Sequence, residues 1–492
     1  MTLAVDERRR THVLVIGSGA GGAITALELA RAGLDVTVLE EGARHDPKVA
    51  YGQGTTQGMK ALYRRRGMTP ILGSVPIGYV EGCCLGGSTE INSGFWHRTP
   101  REVLARWQAQ FDVDGASYEE LAPHFDHVEE LLGVSLYGKP WPKSTELLAN
   151  GATAMGWAVS EVPRAARHCQ GTNACAVGCP TGAKQGVGTS VVPLAEAAGA
   201  RVLSRARVKL LVKSGSRITG VLAEVEAEDG TRRIMRIDAE QVFVCAGPTE
   251  TPALLRRTGI KFHVGDTLRI HPMLKVVARF PERVAAYDSV LPLVQVREFW
   301  PDISMGGAFF TPGHAALSLS DNWMPERMRL LPNMASYYVA VRGRGRGQVR
   351  PSALGDDSTT TRYELAAEDV LNLSKGLARL SMLLIAAGAT EVMPSVHGLP
   401  AISTERQAIR WLDEPLQKSA LSLTTVHTFS TCPLGERADR CAADSYGRLR
   451  RWDNVRINDA SMLPDSPGVN PQGSVMAFAR RNVLEFLSSH TG

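Results

Sequence analysis

The sequence predicts an α/β protein of Rossmann-like type, with an antiparallel sheet interleaved through the same chain. Three observations predict it. A strand–helix–strand pattern occupies the first forty residues, and a glycine-rich turn sits where its first strand meets its helix. Residues 201–246 then alternate apolar and polar side chains between turn signals, as a strand ladder does.

His12-Val13-Leu14-Val15-Ile16 is a short apolar run that reads as a buried strand. Arg8 to Arg10 before it imitate the start of a secretory leader, but the apolar run is too short and leads straight into glycines. The cytoplasm is therefore the expected compartment. Residues 20–32 read as a helix and Asp35 to Glu40 as the next strand. Residues 43–80 are glycine-rich and weakly periodic, predicting loop with short helical pieces. The ladder turns at Gly215, Gly220 and Asp229-Gly230 and ends in Gln241-Val242-Phe243-Val244-Cys245-Ala246-Gly247. Further strand-like runs follow, with helices expected over 366–386, 403–420 and 474–489. The expected division is into three stretches, 10–261, 262–425 and 426–492.

The bulk numbers exclude several classes. A chain of 492 residues with 44% hydrophobic side chains holds enough apolar material for a large core. The net charge of +5 comes largely from scattered clusters at Arg8 to Arg10, Arg64 to Arg66, and Arg342, Arg344 and Arg346. These read as solvated surface rather than a continuous basic face, so no nucleic-acid partner is expected. No stretch approaches the roughly 18 apolar residues of a membrane span. Eight cysteines in such a length do not make a disulfide scaffold.

Gly17-Ser18-Gly19-Ala20-Gly21-Gly22 satisfies G-x-G-x-x-G between strand and helix. Gly17 permits the tight turn, Gly19 lets backbone approach a pyrophosphate, and Gly22 allows close helix–strand packing. The helix start supplies amide donors to phosphates. Glu40 ends the second strand, where an acid holds ribose hydroxyls. The motif implies a dinucleotide without choosing between FAD and NAD.

Further segments resemble the glucose–methanol–choline (GMC) oxidoreductase family. Gly82-Cys83-Cys84-Leu85-Gly86-Gly87-Ser88-Thr89-Glu90-Ile91-Asn92-Ser93-Gly94 is similar to its flavin loop, and Cys245 to Pro252 to its second signature. Val455 to Ser461, Gly468-Val469-Asn470-Pro471 and Met476 to Ala479 follow in the family's order. The resemblance runs from residue 13 to 483 and is weakest over 262–425. It implies an FAD-binding Rossmann-like (GMC) fold and an enzyme that oxidises an alcohol carbon. Besides the turn residues it places Gly86, Gly87, Asn92, Ser93, Gly94, Val208, Ala246, Gly247, Asp459, Ala460 and Pro471 at the cofactor. Some relatives tether the flavin through a histidine after Gly87. Here Glu90, Ile91 and Asn92 stand in that stretch, so non-covalent FAD is expected.

The resemblance also implies the catalytic pair. His427 lies in Val426-His427-Thr428-Phe429-Ser430-Thr431-Cys432-Pro433-Leu434-Gly435, similar to the family's histidine segment, with Ser430 at a usual glycine. Asn470 matches the second catalytic position. An imidazole takes the hydroxyl proton while hydride leaves the carbon, and a neutral amide supports the developing alkoxide. His271, in Arg269-Ile270-His271-Pro272, fits a positioning segment.

Cys169, Cys175 and Cys179-Pro180 leave four readings: a reduced loop, a disulfide between two of them, an iron–sulfur cluster as in the family's sugar dehydrogenases, or zinc. Cys83, Cys84, Cys245 and Cys432 are expected around the flavin. The compact chain and cysteine-rich insert resemble flavin-dependent 6′-dehydrogenases of aminoglycoside antibiotic biosynthesis. That implies a sugar primary alcohol as substrate, with Asp288, Glu298, Asp302 and Asp321 as candidate counter-charges for its amines. The alternatives are a simple aliphatic or sterol alcohol, a redox-silent lyase, or a cytochrome-linked sugar dehydrogenase subunit. The electron acceptor, oxygen or a redox partner, stays open.

Overall fold

The computed structural model describes residues 5–46, 55–322, 324–353 and 358–490. Part of the loop expected over 43–80 lies outside the described residues. Two large sheets share the described residues, beside three two-stranded pairs. The first collects β1 (Glu7–Ile16), β2 (Val36–Leu39), β3 (Arg201–Leu203), β4 (Ala206–Ser214), β5 (Arg217–Glu226), β6 (Arg232–Val244) and β7 (Val455–Ile457). Their order is β3-β2-β1-β6-β5-β4, with β7 paired to β6 beyond its antiparallel section. The β3, β2, β1, β6 and β7 pairings are parallel, and β4–β5–β6 is the antiparallel ladder.

Parallel strands are covered on both faces, so they read as continuous apolar runs. Val13, Leu14 and Val15 are accordingly fully buried. Helix α1 (Ala20–Arg31) packs against α2 (Val187–Ala197) and, from the far end of the chain, against the last described helix, α4 (Gln472–His490). Helix α3 (Gly247–Arg257) opens directly off the end of β6.

The second sheet has nine strands. Its order is Thr69–Ile71, Ile77–Tyr79, Leu423–Thr425, Met273–Arg279, Met334–Val341, Ile303–Gly307, Val294–Val296 and Val159–Glu161, with Glu391–Pro394 also paired to Met273–Arg279. All pairings are antiparallel except Leu423–Thr425 with Ile77–Tyr79, so the sheet is mixed rather than purely antiparallel. Three of its strands come from before residue 261, so sheet and chain order do not coincide. The helix Ala367–Ala386 covers one face, burying Val370, Leu373, Leu377, Leu380 and Leu384 at helical spacing.

Two local expectations fail for identifiable reasons. Over 403–420 only Glu405–Ile409 is α-helical, followed by short turns at Arg410–Leu412 and Lys418–Ala420. Pro415 removes a backbone donor and blocks continuation. Within 43–80, the helix Thr55–Leu62 is followed by a hairpin, Thr69–Ile71 with Ile77–Tyr79, that joins the second sheet.

Candidate active site

A cavity of about 890 Å³ lies between the first sheet's strand ends and one face of the second sheet. That size suits a cofactor plus a small substrate. At its dinucleotide end Gly17 adopts φ +99°, and a Cβ there would stand 2.3 Å from the Cys245 carbonyl oxygen. Gly19 has no neighbour within 4 Å of a built Cβ, so the backbone at the start of α1 faces open cavity. This is the cradle a pyrophosphate needs. A Cβ on Gly21 would meet the Asn458 carbonyl at 1.9 Å, and one on Gly22 the Gly17 carbonyl at 2.0 Å. These two glycines are required by packing.

Glu40 lines the cavity and accepts from the Ser18 amide (2.9 Å), the Ser18 hydroxyl (2.7 Å) and the Gly42 amide (2.8 Å). Burial pushes its carboxyl above the ordinary range despite those donors. The Ser18 hydroxyl also accepts from the Gly86 amide at 3.0 Å, clamping the flavin loop to the glycine turn. Gly17, Gly19, Ala20 and Gly21 line the cavity, as do Gly87, Asn92 and Ser93. Ser18, Gly22, Gly86 and Gly94 stand behind that wall. Val208, Ala246 and Gly247 contribute from β4 and the turn after β6, and Asp459, Ala460 and Pro471 from the C-terminal return. Asp459 organises that junction: it accepts from Gly247 N (2.8 Å), Thr251 Oγ1 (2.6 Å) and Ser461 N (2.7 Å). Of the four cysteines expected around the flavin, Cys245 lines the cavity, whereas Cys83, Cys84 and Cys432 do not.

The structure brings His427 and Asn470 together, with Asn470 Nδ2 3.3 Å from His427 Nε2. On the other side, His427 Nδ1 is 3.0 Å from His271 Nδ1, and His271 Nε2 is 2.8 Å from Ser466 Oγ. Two proton arrangements satisfy this chain, related by moving each proton along and flipping the amide. In one, Asn470 donates to Nε2, and Nδ1–H of His427 donates to His271. That arrangement leaves His427 Nε2 as acceptor, the state that can take a proton. Burial pushes the His427 imidazole down to about 4, so it is neutral through the ordinary pH range. Ser430 adopts φ +66°, the left-handed conformation glycine favours, so the loop keeps the path a glycine would give it.

The three cysteines are not gathered, among the described residues, in the geometry of a metal site. Among the described residues no group of three His, Cys, Asp or Glu side chains is placed to hold a metal ion. The buried Arg164 guanidinium stands between two of the sulfurs instead, donating to Cys169 (3.6 Å) and Cys175 (3.3 Å), while Cys179 accepts from Lys184 N (3.4 Å). All three thiols are free, with no disulfide between any two of them.

The four expected substrate carboxylates lie off the cavity wall. Asp302 pairs with Arg342 and Arg344, Asp321 with His397, Glu298 accepts from Ala158 N, and Asp288 sits in the turn Ala286–Asp288. The residues facing the substrate space were not singled out in the sequence. They include Lys275, His314 and Tyr338. The two-residue alternation His271, Met273, Lys275, running into the strand Met273–Arg279, is the signal that points to Lys275, and no such local signal marks His314 or Tyr338.

Among the described residues no helix is long and apolar enough to cross a membrane. The GMC oxidoreductase family profiles match residues 59–273 and 343–479, and an FAD binding domain profile matches residues 12–66. A GMC-type oxidoreductase of Sinorhizobium fredii is 40% identical over 100% of this chain and 97% of its own. A long-chain-alcohol oxidase of Arabidopsis thaliana is 27% identical over 96% of this chain and 67% of its own. The crystal structure of a pyridoxine 4-oxidase from Mesorbium loti superposes with a TM-score of 0.74 at 18% identity, over 98% of this chain and 100% of that one. Glycine cradle, flavin loop and C-terminal return thus agree with full-length likeness: the chain belongs to the GMC oxidoreductase family and is an FAD-dependent oxidoreductase acting on CH–OH donors.

Proposed function

We propose that the protein oxidises an aliphatic alcohol to the carbonyl compound, with His427 as the base and Asn470 as the donor that orients the hydroxyl oxygen. The observation carrying this is the contact between Asn470 Nδ2 and His427 Nε2 on the wall of the cofactor cavity. FAD, held without a covalent link by the glycine cradle, Glu40 and the flavin loop, supplies the hydride acceptor when bound. His427 Nε2 takes the hydroxyl proton as the carbon gives up its hydride. Asn470 hydrogen-bonds the oxygen as it gains charge, and His271 fixes the imidazole ring from behind.

An aliphatic alcohol fits better than an aminoglycoside. A polycationic sugar needs carboxylates beside the substrate space, and the lining carboxylates Glu40, Glu41, Glu81, Glu250 and Asp459 are engaged around the cofactor end. The likeness to a plant long-chain-alcohol oxidase supports the same choice.

The test is anaerobic mixing of the oxidised holoenzyme with a series of primary alcohols. The flavin band bleaches if the alcohol is oxidised. His427→Ala retains FAD and slows bleaching about 100-fold or more. Asn470→Ala slows it less. A His427→Ala variant reduced at the parental rate removes the base assignment, and a parent that no alcohol bleaches removes the reaction.

A further inference from the structure

We propose that Lys275 forms an anion subsite in the substrate space, and that the alcohol oxidised here carries a carboxylate at the end remote from its hydroxyl. This rests on the reading of the cavity as an alcohol-oxidising site.

Lys275 lines the cavity from the strand Met273–Arg279. Its backbone is fully used, the amide donating to Ser395 Oγ and the carbonyl accepting from Ser395 N. Its ammonium has neither hydrogen bond nor ion pair among the described residues. Lys184 is the internal contrast. That buried ammonium donates to the carbonyls of Glu90, Asn92 and Cys175 at 2.6, 3.0 and 2.8 Å. A lysine needed only for packing is satisfied in that way, because an unpaired ammonium away from water is costly. Lys275 instead lines the cavity, and the carboxylates that share its wall, Glu40, Glu41, Glu81, Glu250 and Asp459, have their own partners around the cofactor end.

The surroundings suit a carboxylate. Tyr338 is the cross-strand partner of Lys275, and Ser304, Ser422 and Thr424 bring further hydroxyls to the same wall. The Thr424 hydroxyl is buried without a partner. His314 lines the same region, and burial together with the Lys275 charge holds it down to about 4, so it adds no second cation. One ammonium ringed by hydroxyls matches a single carboxylate, which charge-assisted bonds would hold. The distance sets the ligand's shape. Lys275 lies four residues beyond His271 on the segment that runs into the strand Met273–Arg279, at most about 13 Å along the chain, so a methylene spacer is expected between carboxylate and hydroxyl.

The experiment compares butanol, hexanol and octanol with hydroxybutanoate, hydroxyhexanoate and hydroxyoctanoate bearing terminal hydroxyls, on the FAD-loaded enzyme. At the best length the hydroxy acid exceeds the plain alcohol about tenfold or more in kcat/KM. Lys275→Met brings that ratio to about one, and Lys275→Arg restores most of it. Independently of turnover, butanoate, hexanoate and octanoate perturb the oxidised flavin spectrum of the parent, with affinity about tenfold weaker in Lys275→Met. Ratios and carboxylate affinities that are the same in parent and Lys275→Met overturn the subsite while leaving alcohol oxidation standing. If neither class bleaches the flavin, alcohol oxidation fails, and the carboxylate titration alone decides the subsite.

Discussion

The proposed base, His427, is held by neighbours on both sides. Asn470 addresses Nε2, His271 addresses Nδ1, and Ser466 anchors His271 in turn. Because burial holds His427 down to about 4, flavin reduction should be level from about pH 8 down to pH 5 and fall below it. Stopped-flow reduction across that range checks this; an acid limb centred near the ordinary histidine value of about 6.5 would mean a solvated imidazole. In the proposed mechanism His271 acts through His427, as a positioning residue. His271→Phe should lower kcat about tenfold with KM little changed, since ring orientation is lost and substrate contacts are kept. The sequence made His427 and Asn470 legible because each sits in a local motif. The alternation could place Lys275 on the cavity wall, but that its ammonium has no partner among the described residues was not legible, since only three-dimensional placement reveals it.

At the scale of elements, adjacent glycines in one turn have different reasons to be glycine. Gly19 faces open cavity, whereas a side chain on Gly21 would strike the Asn458 carbonyl. Gly19→Val should therefore fold with a near-parental melting temperature and lose FAD, while Gly21→Val should lose stability as well, because α1 and the segment after β7 cannot both keep their places. Flavin content and thermal unfolding of the two variants separate these effects. The opening βαβ unit was readable because its periodicity, turn and acid agree within forty residues. The second sheet was readable only as scattered strands. Its members arrive from residues 69–79, 159–161, 273–341, 391–394 and 423–425, and no local pattern states which pairs with which. The helix Glu405–Ile409 is shorter than its apolar pattern, which continues past the point where Pro415 forbids helix.

For the whole molecule, the buried histidines set the acid limit. Burial pushes His97 down to about 3 and His314 and His427 to about 4. In the unfolded chain each titrates near 6.5, so the unfolded state binds more protons as pH falls. Their contribution to stability is complete above about pH 6.5 and is lost progressively toward pH 4. Calorimetry on the FAD-saturated protein should show the melting temperature falling between about pH 7 and pH 5, and His97→Gln should flatten that slope; an unchanged slope would exclude His97 as a contributor. The first sheet has a different consequence. Its strand β7 and the helix that packs on α1 come from beyond residue 454, although α1 itself is made among the first residues. A nascent polypeptide emerging from the ribosome therefore carries the phosphate cradle long before it owns the wall behind it. Flavin capture then waits on the synthesis of residues 455–490, and a chain interrupted before them stays colourless.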